Sequence, residues 1–144
     1  MNIAYQAERL ERFLEEEFTK KLPILVLPDK SIIYKQFKIK ENKHKIWDLR
    51  WAKTGDKLDS FYTKTSALLA AKFYLTSNHT RYNEVKHLDL TYWNNSVDAS
   101  FFKYRLNTAR DFNQKDLFFC RYDLAKERSK VAQGKITQMF KYNF

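Results

Sequence analysis

Between Ser31 and Ala52 the chain alternates apolar and polar residues twice, and this period of two limits the fold more than any other feature of the sequence. From Ser31 to Lys40, Ile33, Phe37 and Ile39 fall on one side, and Tyr34, Gln36, Lys38 and Lys40 on the other. From Lys45 to Ala52, Trp47, Leu49 and Trp51 share a side opposite Asp48 and Arg50. A strand sends successive side chains to opposite faces, so each stretch reads as a half-buried strand. For the apolar sides to form one face of an antiparallel pair, Ile39 is placed opposite Trp47 and Phe37 opposite Leu49. Asn42, Lys43 and His44 then form a three-residue loop, and Lys53 to Lys57, with Gly55, the next connection.

The flanking segments follow other periods. Ile3, Ala7, Leu10, Leu14 and Phe18 recur at three- and four-residue steps and predict an amphipathic helix from about Ile3 to Lys21, ended by Pro23. Ile24 to Leu27 reads as a short strand, and Pro28-Asp29-Lys30 as a turn. Asp59 or Ser60 is expected to cap a largely apolar helix reaching about Thr76. Tyr82, Val85, Leu88 and Tyr92 predict a further helix stopping near Asn94-Asn95, and Ser96 is read as the cap of another running to about Ala109. A last helix is expected from about Asn113 to Ala132, with Leu117, Cys120, Leu124 and Val131 as its inner stripe, Gly134 as its C-cap and a docked turn in the tail. The expectation is a single α+β domain over 1–144: an N-terminal helix, a small antiparallel meander over about residues 24–52, and four helices packed on one face of the sheet.

Several function classes find little support. His44, His79 and His87 have no short ligand spacing, so no metal is expected. With Gly55 and Gly134 the only glycines, a Gly-rich phosphate loop or dinucleotide fingerprint is ruled out, and no cofactor is expected. Cys120 sits on an apolar helical stripe and reads as core. Asp89, Asp98, Asp111 and Asp116 read as caps or solvated carboxylates, which leaves an enzyme as the weakest class. One cysteine allows no internal disulfide and points to a reducing compartment, the cytoplasm. Glu8, Glu11, Glu15, Glu16 and Glu17 argue against a secretory signal, and no apolar run approaches membrane-spanning length.

Charge is the remaining signal. The chain carries a net +10, enough to favour polyanions, although its Lys-, Asn-, Phe-, Tyr- and Ile-rich composition also matches an AT-rich coding sequence such as a phage's. Residues 30–57 hold nine basic against three acidic side chains, net +6. Strand alternation places Tyr34, Lys38, Lys40 and Arg50 on the polar face of the hairpin, with Lys35, Lys43 and Lys45 beside them, combining cations with a ring for stacking. These seven residues are the candidate nucleic-acid site, and the expected function is a small basic accessory protein with little sequence specificity. The basic C-terminal helix face, where Asp123 and Glu127 can pair with Lys126 and Lys130, reads as solvated. The competing class is a structural or assembly protein, phage-encoded or not. Its basic face would meet an acidic protein partner, and rings such as Phe101, Phe102, Tyr104, Phe118, Phe119 and Tyr122, read mostly as core, could supply a homodimer contact.

Overall fold

The computed structural model describes residues 23–144. The helix expected over Ile3 to Lys21 lies outside the described residues. Five strands come first: β1 (Leu25–Val26), β2 (Ile32–Tyr34), β3 (Phe37–Glu41), β4 (Trp47–Trp51) and β5 (Lys57–Phe61). Three helices follow: α1 (Lys64–Leu75), α2 (His79–Thr108) and α3 (Phe112–Asn143). The strands form one antiparallel meander in the order of the chain, so the architecture is α+β with three helices in place of the four expected.

The segment expected as one strand from Ser31 to Lys40 is two. Tyr34 pairs with Phe37 across a two-residue turn at Lys35 and Gln36, with Lys35 at φ 50. Residues paired across a hairpin share a face, so the turn reverses the parity of everything before it. Ile32 and Tyr34 therefore join Phe37 and Ile39 on the inner face, and Ile33 goes outward. No Gly, Asn or Asp marks this turn, so a positive φ at lysine left no local signature.

Alternation identified the inner residues of β3 and β4 but not their pairing. Ile39 lies opposite Leu49, Phe37 opposite Trp51 and Glu41 opposite Trp47, two residues away from the expected register. A slip of two keeps every side chain on its own face, so facial patterning fixes register only to the nearest two residues. The turn decides it. Asn42 donates its amide to the Ile46 carbonyl (2.8 Å), and its Oδ1 accepts the amides of His44 (2.8 Å) and Ile46 (3.2 Å), which makes the loop longer than three residues.

β5 occupies residues expected to end a connection at Lys57 and to cap a helix at Asp59 or Ser60. A bulge between Leu49 and Arg50 disrupts its pairing, and its Lys-Leu-Asp-Ser-Phe sequence lacks a clean alternation. Asp59 faces inward because α2 answers it: Tyr82 Oη donates at 2.6 Å and Lys86 Nζ at 2.7 Å. The helix begins after Thr63, whose Oγ1 accepts the Ser66 amide, as an N-cap does.

α1 lies on the inner face of the sheet and is buried almost all round, with Ala67, Leu68, Leu69, Ala70 and Ala71 fully inaccessible. Its alanines let the helix approach the layer of Phe37, Ile39, Leu49 and Phe61 closely. α2 and α3 are long, about 45 and 48 Å at 1.5 Å per residue. Ser96, expected as a cap, is buried in the middle of α2 with its Oγ 2.7 Å from Ser129 Oγ of α3, and Gly134 lies inside α3 rather than at its end. The expected inner stripe of α3 is also corrected: Leu117, Cys120, Leu124 and Val131 are exposed. The buried stripe is Tyr122, Ala125, Ser129, Ala132, Ile136 and Phe140. Small residues bring the two helices together, whereas sequence patterning favours the large apolar ones.

Candidate nucleic-acid interface

The sheet has one face packed against α1 and one turned away from it. The strand register lays out the outer face row by row: Leu25, Ile33, Lys38, Arg50 and Lys57 form one cross-strand row, and Lys40, Asp48 and Ser60 the next. The expected Lys38, Lys40 and Arg50 do come together. Lys57 completes their row from β5, a strand that sequence patterning did not reveal.

Asp48 organises this face. Its side chain is nearly buried, yet it receives Arg50 Nη2 at 3.3 Å, Lys57 Nζ at 3.8 Å and Asn42 Nδ2 at 3.3 Å. Arg50 also donates from Nη1 to the carbonyl of Gly55 at 2.9 Å, so two contacts orient its guanidinium. At the rim Lys40 approaches Asp29 at 3.6 Å. Hydrogen bonds from the Ser31 hydroxyl and amide, aided by the charge of Lys40, hold the Asp29 carboxyl down to about 2. The carboxylates therefore space and orient cations that outnumber them.

Arg50→Ala is expected to lower stability by about 1 kcal/mol, because Asp48 would keep only longer or neutral contacts while Arg50 itself is partly solvated. The shift of the urea unfolding midpoint would measure it.

The other expected residues part company. Lys43 and Lys45 project from the β3–β4 loop, at the end of the sheet marked by Glu41 and Trp47. Lys35 lies in the turn at the other end of β3, roughly 13 Å away along five strand residues. Tyr34 must be corrected: only 2 % of it is exposed, its ring meets Phe144 edge-on at 5.7 Å, and it sits on the inner face. It cannot stack on a base above the lysines. The β2–β3 turn, which reversed its parity, is the physical reason.

A second polar cluster lies where β5 enters α1. Asp89 of α2 is buried and accepts the Tyr62 amide at 2.8 Å and the Thr63 hydroxyl at 3.3 Å. Burial pushes its carboxyl up to about 6, against the opposing pull of those hydrogen bonds and of Lys86. Tyr62 stacks on Trp93 at 4.6 Å beside it. Every donor reaching Asp89 belongs to the strand–helix junction, and this accounts for the carboxylate as a clasp between layers.

An open cleft of about 550 Å³ lies between the end of α1, the start of α2 and the end of α3, lined by Phe73, Arg81, Glu84, Lys135 and Tyr142 among others. Arg81 is paired with Glu84 at 2.9 Å. Among the described residues no three His, Cys, Asp or Glu side chains are placed to hold a metal ion, and no helix is long and apolar enough to cross a membrane. Comparison with protein-family models, with curated proteins and with solved structures finds no match to this chain.

Proposed function

We propose that the outer face of the sheet binds nucleic acid through its phosphates, with little sequence preference. The observation that carries this reading is the array of Lys38, Lys40, Arg50 and Lys57 on adjacent strands of a face turned away from α1, with Lys43 and Lys45 on the loop beyond. Neighbouring strands are about 4.8 Å apart, so the cross-strand row Lys38–Arg50–Lys57 places cations at intervals that long side chains can adjust to phosphates. Anchoring by Asp48 limits the freedom of Arg50 and Lys57 before any ligand arrives, which reduces the ordering penalty on binding.

The inward position of Tyr34 changes the ligand expected. Single strands are usually held by aromatic platforms, and the rows of this face carry Leu25 and Ile33 as their apolar members and no ring. Duplex phosphates suit it better. Base-edge readout would need shaped donors directed into a groove, and Arg50, whose fork is engaged with Asp48 and Gly55, is not free to provide one.

Lys57 offers a test independent of the hairpin that suggested the site. Lys57→Glu is expected to weaken retention of a short duplex in a gel-shift titration about tenfold or more, because it removes one phosphate contact and adds a repulsion. Unchanged retention would count against the sheet face. The second reading, an assembly protein, draws on apolar side chains left outside the long helices, among them Phe101, Tyr104, Phe112 and Phe119. Of these, Phe101, Tyr104 and Phe119 are rings that the sequence places mostly in the core, and the exposure of all four gives that class an observation of its own.

A further inference from the structure

α3 carries two apolar stripes, and the fold uses one. Tyr122, Ala125, Ser129, Ala132, Ile136 and Phe140 face α2 and the core. Leu117, Leu124 and Val131 repeat every seven residues about a third of a turn away, each about half exposed, with Cys120 between the first two. A seven-residue apolar repeat is the pattern by which helices seat against one another. On an otherwise highly charged helix it leaves a seam with no covering element among the described residues.

The charges beside the seam indicate what covers it. Asp116 and Asp123 precede Leu117 and Leu124 on one flank, while Arg121 and Arg128 follow them by four residues on the other. All four are exposed, and none takes part in the ion pairs among the described residues. When two such helices run parallel, the residue just before a seam position meets the residue five further along on the other helix. Asp116 then meets Arg121 of the second copy and Asp123 meets Arg128 of the second copy, and two-fold symmetry repeats both pairs. An antiparallel arrangement would set acids against acids and arginines against arginines. The seam is thus complementary to itself in one orientation.

We infer that this chain self-associates through the Leu117–Leu124–Val131 face of α3, as a parallel two-fold pair. Glu127 follows Leu124 by three and shortens the apolar contact, so the pair is reversible and depends on concentration. Ile136 and Phe140 tie the far end of α3 to the core beneath the sheet, so both sheets lie at the same end of the pair. Pairing through α3 is independent of what those sheets bind.

Sedimentation velocity on the full chain over a concentration series tests it, with a short bis-maleimide as a probe of the single thiol. In the parallel pair Cys120 lies across the seam from Cys120 of the second copy, so cross-linking yields a covalent dimer. Leu124→Glu, at an exposed position that leaves the circular dichroism unchanged, is expected to weaken association about 30-fold or more. The double variants Asp116→Arg/Asp123→Arg and Arg121→Asp/Arg128→Asp are each expected to be monomeric and to pair when mixed. A monomer at every concentration, a dimer that survives Leu124→Glu, or a dimer that the thiol probe does not link would each overturn the inference.

Discussion

Asp89→Asn is expected to flatten the pH dependence of stability between about pH 4 and pH 7, removing about 3 kcal/mol of variation. The folded carboxyl is pushed up to about 6, because burial between α2 and the β5–α1 junction outweighs the hydrogen bonds from Tyr62, Ser66 and Thr63 and the nearby charge of Lys86. In the unfolded chain it titrates near 3.9. Between those values the folded state holds the extra proton, so stability falls as pH rises. The contribution is fully present below about pH 4 and is lost as pH passes through about 6. Asparagine keeps an oxygen to accept the Tyr62 amide and has no proton to lose. Urea unfolding of both proteins from pH 4 to pH 8 measures the effect. Taking the difference between the two curves cancels other groups such as Asp59, which burial would raise but which hydrogen bonds from Lys86 and Tyr82 hold below its ordinary value. Parallel curves would show that Asp89 is not buried against the junction.

Tyr34→Ala is expected to lower stability by about 3 kcal/mol or more, the usual loss when a large buried ring is truncated. Tyr34 is among the largest fully buried side chains, beside Phe37 on the same face and edge-on to Phe144 at the end of α3. Truncation would open a cavity between the first hairpin and the C-terminal helix. Tyr34→Phe, which keeps the ring, is expected to leave duplex affinity unchanged, since neither ring nor hydroxyl reaches the basic face. Equilibrium unfolding of the alanine variant and duplex titration of the phenylalanine variant check the two halves. A stable alanine variant with impaired binding would return Tyr34 to the interface.

The corrections share a physical pattern. Phe37, Ile39, Trp47 and Leu49 were identifiable as inner residues because alternation reports the face of each strand directly. Their pairing was not, since a slip of two residues leaves those faces unchanged and the Asn42 loop, held by its own side chain, decides the register. The turn at Lys35 and Gln36 carries no turn-forming residue, and missing it put Tyr34 on the wrong face and Ile33 on the other. On α3 the sequence shows two stripes, of which the one with larger apolar side chains has the pattern expected of an inner face. Packing against α2 uses Ala125 and Ser129 in its place, because small side chains let helix backbones approach. Of the site, Lys38, Lys40 and Arg50 could be read from alternation on neighbouring strands. Lys57 could not, because its strand contains a bulge and an inward Asp59 whose partners, Tyr82 and Lys86, lie more than twenty residues away.

The central claim is that the outer face of the sheet holds phosphates. It is tested most directly by fluorescence-anisotropy titration of a labelled duplex across a salt series, comparing the native chain with Lys38→Ala/Lys40→Ala/Lys43→Ala. Arg50 is left in place, because removing it would also disturb Asp48. The native affinity is expected to fall with salt at a log–log slope of several units, and the variant to bind more weakly with a slope reduced by about 2 to 3, since each duplex phosphate contact contributes about 0.9. No binding at low salt, or equal slopes for the two proteins, would contradict the claim and leave the basic face to an acidic protein partner.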